Sequence, residues 1–458
     1  MNLFLASDPR PVHFVGIGGA GMSALAMVAL RRGASVTGSD SDASGCDDLR
    51  RAGATVHEGH APHQVEGARA VVASAAIPAG HPELERARVL GIPVVPRKQA
   101  LADLIAGATA VCISGTHGKT TTTVMTTEAL VAAGLDPTGL AGGRVEAWGG
   151  NARMGRADCF VVEADEYDQA FLALRPTVAV VNNVEPDHLE CYGSVAALEA
   201  AFVEFAGRAG TILIGNDGPG ADRVAAALGA RVIRFGPGAG GISVESVAAT
   251  PEATTARVRF PAGDAVALRL RVPGGHNLRN AAAALGVVRA LGGDVELAAR
   301  ALAGFGGVAR RFERLGEHGG VAFVDDYAHH PTELAVTLSA ARQAFPGRRL
   351  VAVFQPHLYS RTAAHGAAMG QALAAADLAV VTEIYRAREE PIPGVSGLQV
   401  AEAARAAGAT VVFAPLRDEL AAEVAPLLRQ GDVVLTLGAG DITRLGPELA
   451  AWCDSRLG

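Results

Sequence analysis

Ala108-Thr-Ala-Val-Cys-Ile-Ser-Gly-Thr-His-Gly-Lys-Thr-Thr-Thr-Thr123 places an apolar run, a glycine loop and a threonine-rich helix start in direct succession. A parallel strand buried on both faces reads as such a run. Glycines after it let backbone amides wrap phosphate oxygens at the positive end of the following helix. Lys119 suits the β- and γ-phosphates of a nucleotide, and the Thr120 hydroxyl suits a magnesium ion. Ile113 stands where a strict Walker loop has its first glycine, so the match rests on the GKT core and its strand and helix flanks.

Upstream, the same plan occurs once more. The strand Val12–Val15 leads into Gly16-Ile-Gly-Gly-Ala-Gly21 and a helix over Ala20–Arg31. The next strand, Ser35–Gly38, ends at Asp40, where a ribose hydroxyl is usually held. By itself this loop fits a nicotinamide cofactor, a nucleotide sugar or close helix–strand packing. Further βα pairs run to Val94–Val95 and a helix ending near Gly107.

Downstream, two carboxylate-bearing segments follow apolar strands. Glu163-Ala-Asp-Glu-Tyr-Asp168 ends the strand Cys159–Glu163, and Asn182-Asn-Val-Glu-Pro-Asp-His188 ends Val178–Asn182. In parallel sheets the ligand crevice lies at the carboxyl ends of strands. Glu163 is therefore placed to share magnesium with Thr120, and neutral His188 to hold a second divalent ion. The alternating stretch Arg257–Val272 is β-like and precedes a polar turn, Pro273–Asn280. After Phe305–Gly307 the α/β pattern restarts, with strands at Val321–Val324, Leu350–Phe354, Leu378–Thr382, Thr410–Phe413 and Val433–Leu437. Arg361 suits a carboxylate and Arg311 a phosphate, since both guanidinium groups can fork onto paired oxygens.

Strands alternating with alanine-rich helices predict an α/β protein with parallel sheets, and 458 residues leave room for about three domains. The joints fall near residues 107 and 308, giving domains 1–107, 108–308 and 309–458. A hydrophobic fraction of 49% against 19% charged residues excludes a disordered chain. The net charge of −7 is scattered without a basic run, which argues against a nucleic-acid partner. Five cysteines lie far apart with no CxxC pair, so neither a disulfide framework nor a zinc knuckle is expected. No run is long enough to span a bilayer and no signal peptide opens the chain, so the expectation is a soluble cytoplasmic enzyme without membrane insertion.

GIGGAGMSALA, GTHGKTTT, EADEYD, NNVEPDHLE, GGHNLRN, RRFE, DDYAHHPTE, FQPHLYSR and GAGDI resemble, in order and from about Val12 to Ile442, the motifs of the Mur ligases of peptidoglycan synthesis. The resemblance implies a Rossmann-like UDP-binding domain, a central P-loop-type ATPase domain and a C-terminal Rossmann-like domain that delivers an amino acid. It implies ATP and Mg2+, with UDP-N-acetylmuramic acid and L-alanine joined through an acyl phosphate, in a monomer or weak homodimer. A recycling ligase that attaches a tripeptide to the same acceptor shares nearly all of these motifs.

Carried over by position, Gly16, Gly18, Gly19, Gly21, Asp40 and Ser74 fall on the UDP substrate. Gly115, Thr116, His117, Gly118, Lys119, Thr120, Thr121, Thr122, Asn280, Arg311 and Asp326 fall on ATP. Lys119, Glu163 and His188 would be catalytic; Thr120, Glu163 and His188 would serve the metal. Tyr327, His357 and Arg361 would face the incoming amino acid. Two segments depart from the pattern. Ala200-Ala-Phe-Val-Glu-Phe205 lacks the lysine that other members carbamylate, so no carbamate-bridged metal is expected. Ser74-Ala-Ala-Ile77 has one hydroxyl fewer than the family's SSAI segment.

Overall fold

The computed structural model describes residues 3–4, 7–387 and 389–456. Three sheets organise it. The first contains β1 (Val12–Val15), β2 (Val36–Asp40), β3 (Thr55–Glu58), β4 (Ala70–Ala73) and β5 (Val94–Pro96) in the order 3-2-1-4-5. All of its pairings are parallel. Because β1 has β2 on one side and β4 on the other, the chain reverses its direction of travel there, and a crevice opens at the carboxyl ends of β1 and β4.

The second sheet contains β6 (Thr109–Ser114), β7 (Pro137–Val145), β8 (Gly150–Arg153), β9 (Arg156–Glu163), β10 (Val178–Val181), β11 (Thr211–Gly215), β12 (Val232–Pro237), β13 (Ile242–Ala249), β14 (Thr254–Arg259) and β15 (Ala265–Leu270). Its order is 15-14-13-12-11-10-6-9-7-8. β6 pairs in parallel with β10 on one side and β9 on the other, so the ends of all three strands open on the same edge. The third sheet contains β16 (Glu313–His318), β17 (Val321–Asp326), β18 (Leu350–Phe354), β19 (Leu378–Val381), β20 (Val411–Phe413) and β21 (Val433–Leu437), in the order 16-17-21-18-19-20. Only β16 in that sheet pairs antiparallel.

By packing, the chain forms two compact units. One holds residues up to Val247, Ala256–Arg269 and Leu278–Phe305; the other holds Ala248–Thr255, Leu270–Asn277 and the chain from Gly306 onward. In the first unit one apolar core runs through Phe14 and Val72 of the first sheet and Phe160 and Val181 of the second, and a smaller one holds Val15 and Val71 on the first sheet's other face. In the other unit Ala322, Val324, Ala352 and Phe354 build the core on one face of the third sheet, and Val321, Phe323, Val351 and Val353 build the core on the other. That split follows from side chains alternating across a strand.

Strands β1, β18 and β21 and the helix Ala20–Arg31 fall where the sequence places them. The segment Pro273–Asn280 does not. It is not a polar turn: from Gly275 it is the start of a helix that runs to Ala290. Its polar residues open that helix, whose interior residues Leu278 and Ala281–Leu285 are buried. Asn277 Nδ2 ties the entry by donating to Pro273 O at 2.7 Å. The stretch Arg257–Val272 is broken into β14 and β15 by a turn in which Phe260 N donates to Asp264 O at 2.9 Å. Among the described residues no helix is long and apolar enough to cross a membrane.

Candidate active site

The loop after β6 is shaped by its neighbours. Gly115 has φ +128°, and a Cβ there would lie 2.9 Å from Asn182 N. Gly118 has φ +76°, and a Cβ there would lie 2.9 Å from Asn280 Oδ1, which brings Asn280 onto the loop. Side-chain-bearing residues avoid that left-handed region, and here there is also no room. Asn182 Nδ2 donates to Thr122 Oγ1 at 3.0 Å, and His117 N donates to Asn183 Oδ1 at 2.8 Å. Glu185 N donates to Thr116 Oγ1 at 2.8 Å. The segment after β10 thus fixes the loop residue by residue.

At the start of the helix Lys119–Ala132 two carboxylates meet two loop side chains. The Thr120 hydroxyl donates to Glu163 Oε2 at 2.9 Å, and Gly142 N donates to the same oxygen at 2.7 Å. Lys119 Nζ donates to both oxygens of Glu166, each at 2.8 Å, and to Gly115 O at 2.8 Å. Burial by itself would lower the Lys119 ammonium; Glu166, Asp165 and Glu163 outweigh it and hold the pKa above the ordinary lysine value. The amine stays a cation in a place where water is scarce. Thr121 and Thr122 are buried in the same helix turn.

His188 stands at the turn after β10, with φ +53°. Its ring packs edge-on against Tyr167 at 5.1 Å, and its nitrogens lie 3.6 Å from Asp187 and 3.4 Å from Glu190. Tyr167 belongs to the segment that carries Glu163 and Glu166. The two acidic segments read from the sequence are therefore in contact.

The first glycine loop is simpler. Gly18 N donates to Asp40 Oδ2 at 2.8 Å, and Asp42 N donates to Asp40 Oδ1 at 3.2 Å, so Asp40 holds the loop itself. Ser74 and Ile77 lie against Gly16, which has φ +78°. Gly19 caps the following helix, and the Arg97 guanidinium sits over Gly21, 2.6 Å from where a Cβ would be.

In the other unit, Asp326 ends β17 and accepts from Phe312 N at 2.7 Å and Ala328 N at 2.8 Å. Burial pushes its carboxyl up to about 6, with Arg311 pulling the other way. The guanidinium carbons of Arg310 and Arg311 lie 5.0 and 4.9 Å from the centre of the Tyr327 ring. Tyr327 contacts His329 at 5.2 Å, His329 contacts His357 at 6.0 Å, and Arg361 Nη1 is 3.3 Å from His357 Nδ1. Arg311, Tyr327, His357 and Arg361 are thus linked in one chain of contacts through His329, and Asp326 lies next to Tyr327 at the end of β17.

Sequence reasoning did not single out Glu166, Asn182, Asn183 or Gly142. The first three lie inside the EADEYD and NNVEPDH runs. Gly142 has no sequence signal beyond a Gly-Gly pair.

Three family models match: the Mur ligase family catalytic domain over residues 11–109, the Mur ligase middle domain over 113–288 and the Mur ligase glutamate ligase domain over 310–440. The chain is 47% identical over 449 residues to UDP-N-acetylmuramate–L-alanine ligase of Streptomyces avermitilis, covering 96% of each. Among solved structures, UDP-N-acetylmuramate–alanine ligase of Thermotoga maritima superposes with a TM-score of 0.85 at 29% identity, over 97% of this chain and 99% of that one. A murein peptide ligase of Psychrobacter arcticus gives 0.73 at 25% identity, over the same shares.

Proposed function

The chain belongs to the Mur ligase family, and from that premise we propose that it joins L-alanine to UDP-N-acetylmuramic acid at the expense of ATP. The observation that carries the reading is the double pairing at the start of one helix, Thr120 with Glu163 and Lys119 with Glu166. It provides a cation and a hard-oxygen pair where phosphate would sit on the loop amides. The tripeptide-attaching alternative is the weaker one, since the alanine ligase fold superposes at 0.85 and the peptide ligase fold at 0.73.

A carboxylate acylates poorly because its oxygen is a bad leaving group. The muramyl carboxylate attacks the γ-phosphorus and ADP departs, leaving an acyl phosphate. The alanine amine then attacks the carbonyl carbon, loses a proton, and phosphate leaves. Lys119 stabilises the charge that spreads over the transferred group. The Thr120 hydroxyl and Glu163 carboxylate, 2.9 Å apart, are oxygen donors of the kind Mg2+ prefers, and His188 is assigned to the same ion set. Bound there, the ion would neutralise phosphate charge.

Gly16–Gly21, Asp40 and Ser74 are assigned to the UDP moiety. Asn280, Arg311 and Asp326 are assigned to the nucleotide, and Tyr327, His357 and Arg361 to alanine. Domains 1–107, 108–308 and 309–458 take these three roles in turn, in a cytoplasmic monomer or weak homodimer. Phosphate release is the test: the expected panel shows release with UDP-N-acetylmuramate plus L-alanine and little with the tripeptide. Release only with the tripeptide would transfer the chain to the recycling reaction.

A further inference from the structure

Between the first sheet's helices and the β7–β8 hairpin, within the first compact unit, lies a cavity of about 520 Å³. Pockets that enclose small organic molecules span roughly 300–1,000 Å³. Its apolar surface comes from Met27 on the helix Ala20–Arg31 and from Trp148 and Met154 on and beside the hairpin. An indole and two thioethers lining one cavity offer polarisable surface that suits an aromatic ring.

Its charged surface is cationic. Arg153 is committed to Asp136 at 2.7 Å, and the acidic lining residue Asp48 is held by Arg144 at 3.3 Å. Arg31 and Arg51 also line the cavity, and among the described residues neither is ion-paired to a carboxylate. Arg51 spends its Nε on the backbone oxygen of Asp47, at 3.2 Å. Arg31 and Arg51 are both solvent-exposed, and they line the same cavity as the indole without, among the described residues, a carboxylate partner of their own. Guanidinium groups hold oxyanions by charge-assisted hydrogen bonds, which are stronger than neutral ones.

We propose that this cavity binds an aromatic organic anion, with the ring against Trp148 and the anionic group on Arg31 and Arg51. The site is distinct from the glycine loop at residues 16–21. The 12-residue helix Ala20–Arg31 begins in that loop and delivers Arg31 at its far end, about 18 Å away. The two regions still touch a common strand. Asn151, between the lining residues Gly150 and Ala152, donates to Ala20 O and Ser23 Oγ, both at 3.1 Å.

The test needs no catalytic readout, so it stands or falls separately from the ligase reading. The chain has two tryptophans, Trp148 and Trp452, and in a Trp452→Phe variant the emission comes from Trp148 alone. Titration with 8-anilinonaphthalene-1-sulfonate is expected to quench that emission saturably with one site. Arg31→Gln/Arg51→Gln should weaken the site roughly tenfold, the loss expected for charge-assisted hydrogen bonds. Arg31→Lys/Arg51→Lys should keep most of the affinity, and the uncharged 1-anilinonaphthalene should not distinguish the variants. Melting curves of each variant establish that it is folded before titration. Equal sulfonate affinity in the wild type and the glutamine pair overturns the proposal, as does quenching that never saturates.

Discussion

The two glycine loops of the first compact unit share one plan, strand, glycine turn and helix, yet they are held in different ways. In Gly16–Gly21 the principal side-chain support is one carboxylate, Asp40, bonded to Gly18 N. The helix that follows carries no acidic residue. In Gly115–Gly118 the backbone and side chains of Asn182, Asn183 and Glu185 press on the loop, and Lys119 is matched by Glu166. The first is a backbone cradle; the second has a cation and its counter-ion built in. Holding a diphosphate needs only the cradle. Moving a phosphoryl group requires charge stabilised as it shifts, and that comes from side chains at neighbouring strand ends.

The sharpest break between the loops is Lys119→Ala. Turnover should fall by about 10²–10³, the usual cost of one lost transition-state contact, while UDP-N-acetylmuramate binding measured by calorimetry stays unchanged. Near-normal turnover would remove the assignment of the second loop. Next comes a glycine pair. Gly115→Ala meets Asn182 N at 2.9 Å with φ +128°, so urea denaturation should show a loss of at least about 1–3 kcal/mol. Gly18→Ala, without a positive φ, has as its nearest neighbours the Asp40 side chain and Asp42 O, at 3.0 Å and beyond, and should cost less than about 1 kcal/mol. Equal losses would erase the structural distinction.

His188→Ala should raise the magnesium concentration for half-maximal activity several-fold with little change in melting temperature. A lower melting temperature at an unchanged magnesium requirement would make the residue structural instead. A pH-dependent effect concerns Glu128, in the helix of the second loop. Burial pushes its carboxyl up from 4.5 to about 7, against the pull of Arg153. The folded state therefore keeps a proton that the unfolded state releases. That contribution is complete below about pH 4.5 and is lost as pH rises through 7. Glu128→Gln should accordingly melt higher than wild type at pH 8 and close to it at pH 4.5; an equal offset at both would contradict the burial argument. The helix of the first loop has no acidic group to respond in this way.

Much of this was legible along the chain. Strands buried on both faces read as continuous apolar runs, which is why β1, β18 and β21 fall where they were placed. Glu163 and His188 stand out because polar residues directly follow those runs. The hairpin β7–β8 and the edge strand β16 were not legible. Residues such as Gly142-Gly-Arg-Val-Glu146 and Glu313-Arg-Leu-Gly-Glu317 lack an apolar run, and each pairs with a bulge that breaks alternation. The turn expected at Pro273–Asn280 misled for a related reason: glycine, histidine and asparagine are poor helix formers, and their helix is held by burial of the residues that follow.

The order of the strand–loop–helix units and the residue types in their loops follow from the chain alone, because apolar periodicity and glycine placement are local properties. The threonine run after Lys119 is another matter. A β-branched run opposes helix formation, and Thr120–Thr127 are helical because burial against β6, β7 and β9 outweighs that preference. The pairs that define the site also depend on the fold. Lys119 and Glu166 are 47 residues apart and Thr120 and Glu163 are 43 apart. They meet because β6 lies in parallel beside β9, so that the loop after one strand and the carboxylates after the other open on the same edge.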